Sequence, residues 1–300
     1  MTPAQALKLA VRGAVLENEP LEALTSIRLG GPARTLFRPI DTDDLVAGLR
    51  VLRAEAVPHL VLGGGANTLV GDRGVSEVVV QLGAGFASEE WPAEHEVALG
   101  AGVPGMRALR AARKKALVGP EFLVGIPGTL GGQVAMNAGT KQGQLSDILV
   151  AAEVATAEGA GWVPAADLRY AYRESHLPVG GVVTRARLRL ARGDVAAGDA
   201  AVKADLDYRR GSQPWSQPNL GSTFKNPPGD KAGRLLEAVG LKGHRVGGVA
   251  FSDQHANFLV NLAQGKAADA LALIELGKAR VREQFGIALE LEVVLLGEFA

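Results

Sequence analysis

Hydrophobic positions in the first fifty residues fall twice at helical spacing. Thr2-Pro3-Ala4-Gln5 has the form of a capping box with proline at the first helical position, and predicts a helix to about residue 18. Asp41 or Thr42 caps a second helix, in which Leu45, Leu49 and Leu52 form one face. Apolar runs at 59–62 and 77–82 predict strands on either side of a glycine turn. A helix over 104–117 brings Arg107, Arg110 and Lys114 together on what reads as a solvated face. Strands near 149–157 and 182–191 follow, and in the second Arg185, Arg187 and Arg189 alternate onto one wet sheet face.

From about residue 194 the texture changes. A helix over 194–210 leads into Gln213-Pro214-Trp215-Ser216-Gln217-Pro218, a stretch stiffened by its prolines. The pattern then predicts a helix at 230–239, a strand at 256–262, a long amphipathic helix at 267–285 and a closing strand at 288–296. Strand, helix and strand at the end read as a crossover unit beside a sheet. No internal repeat is visible. The whole predicts an α+β fold in two parts, divided near 193–200.

Composition excludes several classes. With 47% hydrophobic residues in 300, the chain buries a sizeable core and is not intrinsically disordered. Lys plus Arg and Asp plus Glu are each 32, and the last hundred residues hold 12 basic against 11 acidic, so neither part has the cationic excess of a nucleic-acid module. Cysteine is absent, which removes disulfides, thiol catalysis and Cys-ligated metal. Lys8 and Arg12 interrupt the first apolar stretch, so it is no signal-peptide core. The uncharged window 122–140 contains Pro127 and five glycines, and reads as buried loop and turn rather than a membrane span. These features predict a soluble, cytoplasmic protein.

Glycine changes the picture. There are 39 in 300 residues, about twice the usual share of roughly 7%, and they come in bunches. Gly63-Gly64-Gly65-Ala66-Asn67-Thr68 follows a strand, but Gly71-Asp72-Arg73-Gly74 comes too soon for the helix a Rossmann turn needs, and no Walker Lys-Ser/Thr follows. A nest of N–H groups for a phosphate and a plain tight turn both remain open. Gly125-Ile126-Pro127-Gly128-Thr129-Leu130-Gly131-Gly132, followed by Met136-Asn137-Ala138-Gly139, is a second such loop. Two loops in one domain favour a large cofactor. Tyr172-Arg173-Glu174-Ser175 and Gly221-Ser222-Thr223-Phe224-Lys225-Asn226-Pro227 are the polar clusters near the boundary, and Ser222 lies in no nucleophile elbow. Glu290 and Glu292 share a face of the expected last strand. The five histidines have no metal-binding spacing.

These segments, with Thr25-Ser26-Ile27-Arg28-Leu29-Gly30-Gly31, Glu121-Phe122-Leu123-Val124 before the second loop, Ala232-Gly233-Arg234-Leu235 and His255-Ala256-Asn257-Phe258, resemble the UDP-N-acetylenolpyruvoylglucosamine reductase family from Thr25 to the last strand. The resemblance implies an FAD-binding domain of the vanillyl-alcohol-oxidase type over 1–195, in two subdomains of roughly 1–80 and 81–195. A C-terminal α+β substrate-binding domain over 196–300 completes it. It implies non-covalent FAD with its phosphates against Gly63, Gly64, Gly65, Ala66 and Asn67. The flavin ring would lie near Ile126, Pro127, Gly128, Thr129, Gly131 and Gly132, with Thr68, Asn137 and Gly139 as further cofactor contacts. Arg173, Ser222 and Glu292 are the implied catalytic residues; Tyr172, Lys225 and Asn226 the implied substrate contacts. The chain looks like the short subtype without the lid segment that carries a tyrosine, since 178–206 has no Tyr or Phe. It departs from the family at Val294, where arginine is frequent, and at Thr140-Lys141-Gln142, where tyrosine is frequent.

The implied reaction is NADPH-dependent reduction of an enolpyruvyl UDP-sugar in peptidoglycan synthesis. Its intermediate is a carbanion beside a carboxylate, for which Arg173 supplies a fork of donors and protonated Glu292 another, while Ser222 gives the proton. Lys225 is read as holding the substrate diphosphate or stabilising the serine alkoxide. Small-molecule substrates are the only partners so implied. Two other readings are an oxidase of the same flavin fold and a colourless sugar-nucleotide-binding protein.

Overall fold

The computed structural model describes residues 1–299. By compactness the chain forms two units built from interleaved stretches: Met1–Glu17, Thr35–Gly64 and Glu77–Asp207 in the first, Asn18–Arg34, Gly65–Ser76 and everything from Tyr208 on in the second. The compact units thus interleave along the chain. The reason lies in core membership: Ile27, Leu29 and Leu69 are buried with Leu220, Phe224, Leu235 and Phe251, far along the chain.

The first unit has two cores. In one, the helix Thr42–Ala54 turns Leu45, Leu49 and Leu52 onto Leu7, Phe37, Val78 and Val80. Asp41 caps this helix, its carboxylate accepting from the Asp44 N–H at 2.9 Å. The strands His59–Val61 and Val75–Val80 run parallel, with His59 opposite Val78. The N-terminal helix stops at Ala10, well short of 18, and Ala14–Pro20 is a strand. Buried Asp44 fixes that break by accepting the N–H groups of Arg12, Gly13 and Ile40. A local hydrophobic pattern does not reveal so distant an acceptor.

The other core lies under a five-stranded antiparallel sheet in the order Ala160–Pro164, Leu149–Ala155, Val182–Arg189, Glu96–Gly100, Glu89–Ala93. The helix Met106–Lys114 adds Ala108, Ala111 and Ala112 to it. Arg185 and Arg187 share a sheet face as expected, but that face is paired rather than merely wet. Arg185 bonds Glu153 and Glu90, and both arginines stack on Trp162. Arg107 and Lys114 likewise both meet Glu89. The window 122–140 holds a short helix, Leu130–Ala135, where only loop was expected.

The second unit contains an antiparallel sheet in the order Asn219–Ser222, Phe258–Asn261, Val249–Phe251, Arg245–Val246, with the helices Ala232–Ala238 and Ala267–Phe285. The long helix matches its expected span, and Asp72 caps it from outside, accepting the N–H groups of Ala267 and Ala268 at 2.8 Å each. The expected crossover to a neighbouring strand does not form. The closing strand is only Val294–Leu296, and it pairs in parallel with Thr68–Val70 in a separate two-stranded sheet. Residues 290–292 instead pair with 223–225.

Candidate active site

Gly63 and Gly64, which open the first glycine turn, meet the second glycine turn within the first unit. A Cβ on Gly64 would stand 2.7 Å from Gly128 Cα, and one on Gly63 2.9 Å from Thr129 Oγ1, so only glycine lets the backbones approach at 64. The backbone N–H groups of Gly63, Gly64, Gly65, Ala66 and Asn67 have no acceptor among the described residues. Five successive donors without a protein partner are the chemistry a cofactor diphosphate requires, so the residues present fit FAD at this turn. The turn leads into the strand Thr68–Val70 and not a helix, which leaves no Rossmann arrangement. In the second turn, an added Cβ at Gly132 would have only Thr129 Oγ1 within reach, at 3.7 Å. Gly131 is different: its Cβ would press on Ala101 at 2.9 Å and its N–H donates to the Ala101 carbonyl, so it packs the short helix down.

Arg173 is held by the segment that follows. Its Nη2 donates to the Gly139 carbonyl at 2.7 Å and its Nη1 to the Asn137 carbonyl at 3.4 Å. Arg173 sits at φ +62, a left-handed conformation uncommon outside glycine, with Tyr172 beside its guanidinium at 5.0 Å. Asn137 is buried, and its amide is spent on the protein: Nδ2 donates to the Ala171 carbonyl and Gln144 Oε1, while Oδ1 accepts from the Ser146 N–H. The main-chain carbonyls of Asn137 and Gly139 thus brace Arg173, while the Asn137 amide holds the surrounding backbone.

In the second unit Asn219 pairs with Val260 and Ser222 with Phe258, so one strand carries an extra residue. Gly221, at φ +73, absorbs this bulge and re-aims Ser222. Beyond it the chain is clamped on two sides. The Thr223 N–H donates to the Asn257 carbonyl at 2.7 Å, the Glu292 N–H to the Thr223 carbonyl at 2.9 Å, and the Lys225 N–H to the Glu290 carbonyl at 2.9 Å. Ser222 and Glu292, far apart in sequence, are brought together by Thr223. Glu292 precedes the last strand instead of lying in it. Asn67 donates from Nδ2 to the Glu292 carbonyl at 2.8 Å and accepts the Val294 N–H, so its side chain braces Glu292 and only its backbone N–H is left to a phosphate. Lys225 Nζ lies 3.7 Å from exposed Glu290, a weak pair. Asn226 Oδ1 accepts the Ala232 N–H at 3.1 Å, which turns its Nδ2 donor away from that bond. Among the described residues no cluster of His, Asp and Glu gathers to hold a metal.

Two histidines lie in these surroundings. His59, before the first glycine turn, faces the Gly180 carbonyl from Nε2 at 3.1 Å, and His255 Nδ1 accepts the Asn257 N–H at 3.2 Å. Burial pushes both imidazoles below the ordinary histidine value, against a smaller opposing effect of the backbone. The unfolded chain therefore binds these protons first as pH falls. Stability is unaffected by them above the unfolded value, falls as pH drops through about 6.5, and levels below the folded values. Replacing both by Gln should make the drop in melting temperature from about pH 8 to about pH 5.5 shallower than in the parent. An unchanged slope would refute the assignment.

Two family models match. One, described as an FAD binding domain, covers residues 33–161; the other, described as the UDP-N-acetylenolpyruvoylglucosamine reductase C-terminal domain, covers residues 213–296. The UDP-N-acetylenolpyruvoylglucosamine reductase of Anaeromyxobacter sp. (strain Fw109-5) is 56% identical over 289 residues, 96% of this chain and 91% of that protein. The enzyme of the same name from Myxococcus xanthus (strain DK1622) is 51% identical over 95% of this chain and 93% of its own. Among solved structures, UDP-N-acetylenolpyruvylglucosamine reductase from Thermus caldophilus superposes with a TM-score of 0.81 at 38% identity, covering 95% of this chain and 99% of that one.

Proposed function

This chain belongs to the UDP-N-acetylenolpyruvoylglucosamine reductase family, and from that premise we propose how its residues carry out the reduction of UDP-N-acetylglucosamine enolpyruvate to UDP-N-acetylmuramate in peptidoglycan synthesis. When bound, FAD would supply the hydride relay between NADPH and the methylene carbon of the enolpyruvyl group. The turn 63–67 would hold its diphosphate through backbone N–H groups, and residues 126–132 would border the ring. Residues before about 195 carry most of the cofactor contacts, and those after it most of the substrate contacts.

Addition at the methylene carbon leaves an electron pair on the carbon beside the carboxylate. Arg173 answers that charge. Its guanidinium, oriented by the carbonyls of Asn137 and Gly139, presents a charge-assisted donor to the carboxylate without reorganising during the reaction. Glu292, in its protonated form, adds a second donor. Ser222 transfers its hydroxyl proton to the carbon; a serine is a weak acid, but the carbanion is a stronger base than the alkoxide left behind, so the transfer runs downhill. Lys225 and Asn226 offer donors to the substrate diphosphate, and Tyr172 flanks Arg173.

The observation that carries this reading is the bond from the Glu292 N–H to the Thr223 carbonyl, which puts a hydroxyl and a carboxyl on adjoining backbones. A flavin oxidase has no use for that pair. No helix among the described residues is long and apolar enough to cross a membrane, and the reading places the enzyme in the cytoplasm with its anionic nucleotide substrates. It needs no protein partner. Purified enzyme should consume NADPH only when the enolpyruvyl sugar is present, with one UDP-N-acetylmuramate formed per NADPH. Consumption independent of that sugar would overturn the reading.

FAD should be held without a covalent link. Cysteine is absent, and the nearest histidine in sequence, His59, directs Nε2 at the Gly180 carbonyl. Acid precipitation should therefore leave the yellow colour in the supernatant; colour in the pellet would contradict this.

A further inference from the structure

We infer that Asn257 is a positioning residue for Ser222, acting as a substitute strand where the sheet ends. The inference rests on Ser222 being the proton donor. Asn257 is 3% exposed. Its Oδ1 accepts the Phe224 N–H at 3.0 Å and its Nδ2 donates to the Phe224 carbonyl at 2.8 Å. One side-chain amide therefore makes both bonds that a neighbouring peptide would make in an antiparallel ladder. Its own main-chain carbonyl takes the Thr223 N–H at 2.7 Å.

The need for such a device follows from the bulge. At Gly221 the strand shifts register against Phe258–Asn261, regains a pair at Ser222 with Phe258 and ends there, so the sheet no longer fixes the residues beyond Ser222. On the opposite side Leu291 bridges Phe224, and the Glu292 N–H reaches the Thr223 carbonyl. Without the Asn257 side chain, only the main-chain bond from the Thr223 N–H to the residue 257 carbonyl would hold the chain on this side beyond Ser222, leaving two buried polar groups of Phe224 unpaired. His255 in turn fixes Asn257 by accepting its N–H. Ser222 is thus aimed by contacts that never touch substrate.

A displacement of about 1 Å at a reacting group costs on the order of 10²-fold in rate, so the expected losses are large but confined to one step. In Asn257→Ala, reduction of the bound flavin by NADPH should stay within about twofold of the parent, while reoxidation by the enolpyruvyl sugar slows by about 10–100-fold. Adding Asn257→Ala to Ser222→Ala should slow reoxidation by less than about threefold more, because the two act through one proton transfer. Amide hydrogen exchange across 222–226 should rise about tenfold or more, with or without flavin. Asn257→Asp, which keeps the acceptor for the Phe224 N–H and loses the donor, should fall between Ala and the parent. Equal slowing of both half-reactions, parent-like reoxidation or multiplicative losses in the double variant would overturn the inference. So would failure of both single variants to yield flavin-loaded protein, since Asn257 would then be a folding determinant. If Ser222→Ala itself reoxidises at the parent rate, the role of Ser222 fails; if it slows and Asn257→Ala does not, only the positioning role does.

Discussion

Ser222→Ala should reoxidise its flavin with the enolpyruvyl sugar roughly 10²–10⁴ times more slowly than the parent, the scale of losing a positioned general acid. Reduction by NADPH should stay near normal, because no substrate carbanion exists in that half of the cycle. The substitution removes one hydroxyl from a half-buried position on a clamped backbone, leaving the Thr223 bonds to Asn257 and Glu292 intact. Ser222→Cys should recover part of the loss, since a thiol also donates a proton. Rapid-mixing measurements of flavin absorbance separate the two halves. Parent-like reoxidation by the Ala variant would make Ser222 a turn residue and move the proton to Lys225, Glu292 or water.

Arg173→Lys should cost on the order of 10²–10³ in the same half-reaction, although the charge is kept. The structure gives the reason. The guanidinium spans the carbonyls of Asn137 and Gly139 with two different nitrogens, and a compact ammonium lacks the planar fork that bonds both while presenting paired donors to a carboxylate. Lysine also leaves the left-handed backbone at 173 without the side-chain anchor that accompanies it. Flavin reduction by NADPH should be unchanged. If both halves slow equally, Arg173 shapes the flavin site in general and not the carboxylate contact.

The long helix Ala267–Phe285 was legible because its apolar period runs over five turns and ends at Gly286, whose φ of +68 closes it. The capped helix Thr42–Ala54 was legible for the same kind of reason. The strand Ala14–Pro20 was not, since its acidic residues mask the alternation and its boundary is set by Asp44 from another part of the chain. Nor was the interleaving of the two units, which depends on where Ile27 and Leu69 find their neighbours. In the site, the glycine turns announced themselves by composition, but the roles of Arg173, Ser222 and Glu292 rested on resemblance. The bracing by Asn67 and Asn257 left no trace at all in spacing, because a side chain that bonds a distant backbone obeys no local period.

The most direct test of the account is a flavin cycle without oxygen. Purified protein mixed anaerobically with one equivalent of NADPH should lose its yellow absorbance. Addition of the enolpyruvyl UDP-sugar should restore it fully, with an equal amount of UDP-N-acetylmuramate formed. Flavin that stays bleached with that sugar and recovers its colour only when oxygen is admitted would contradict the account and point to an oxidase.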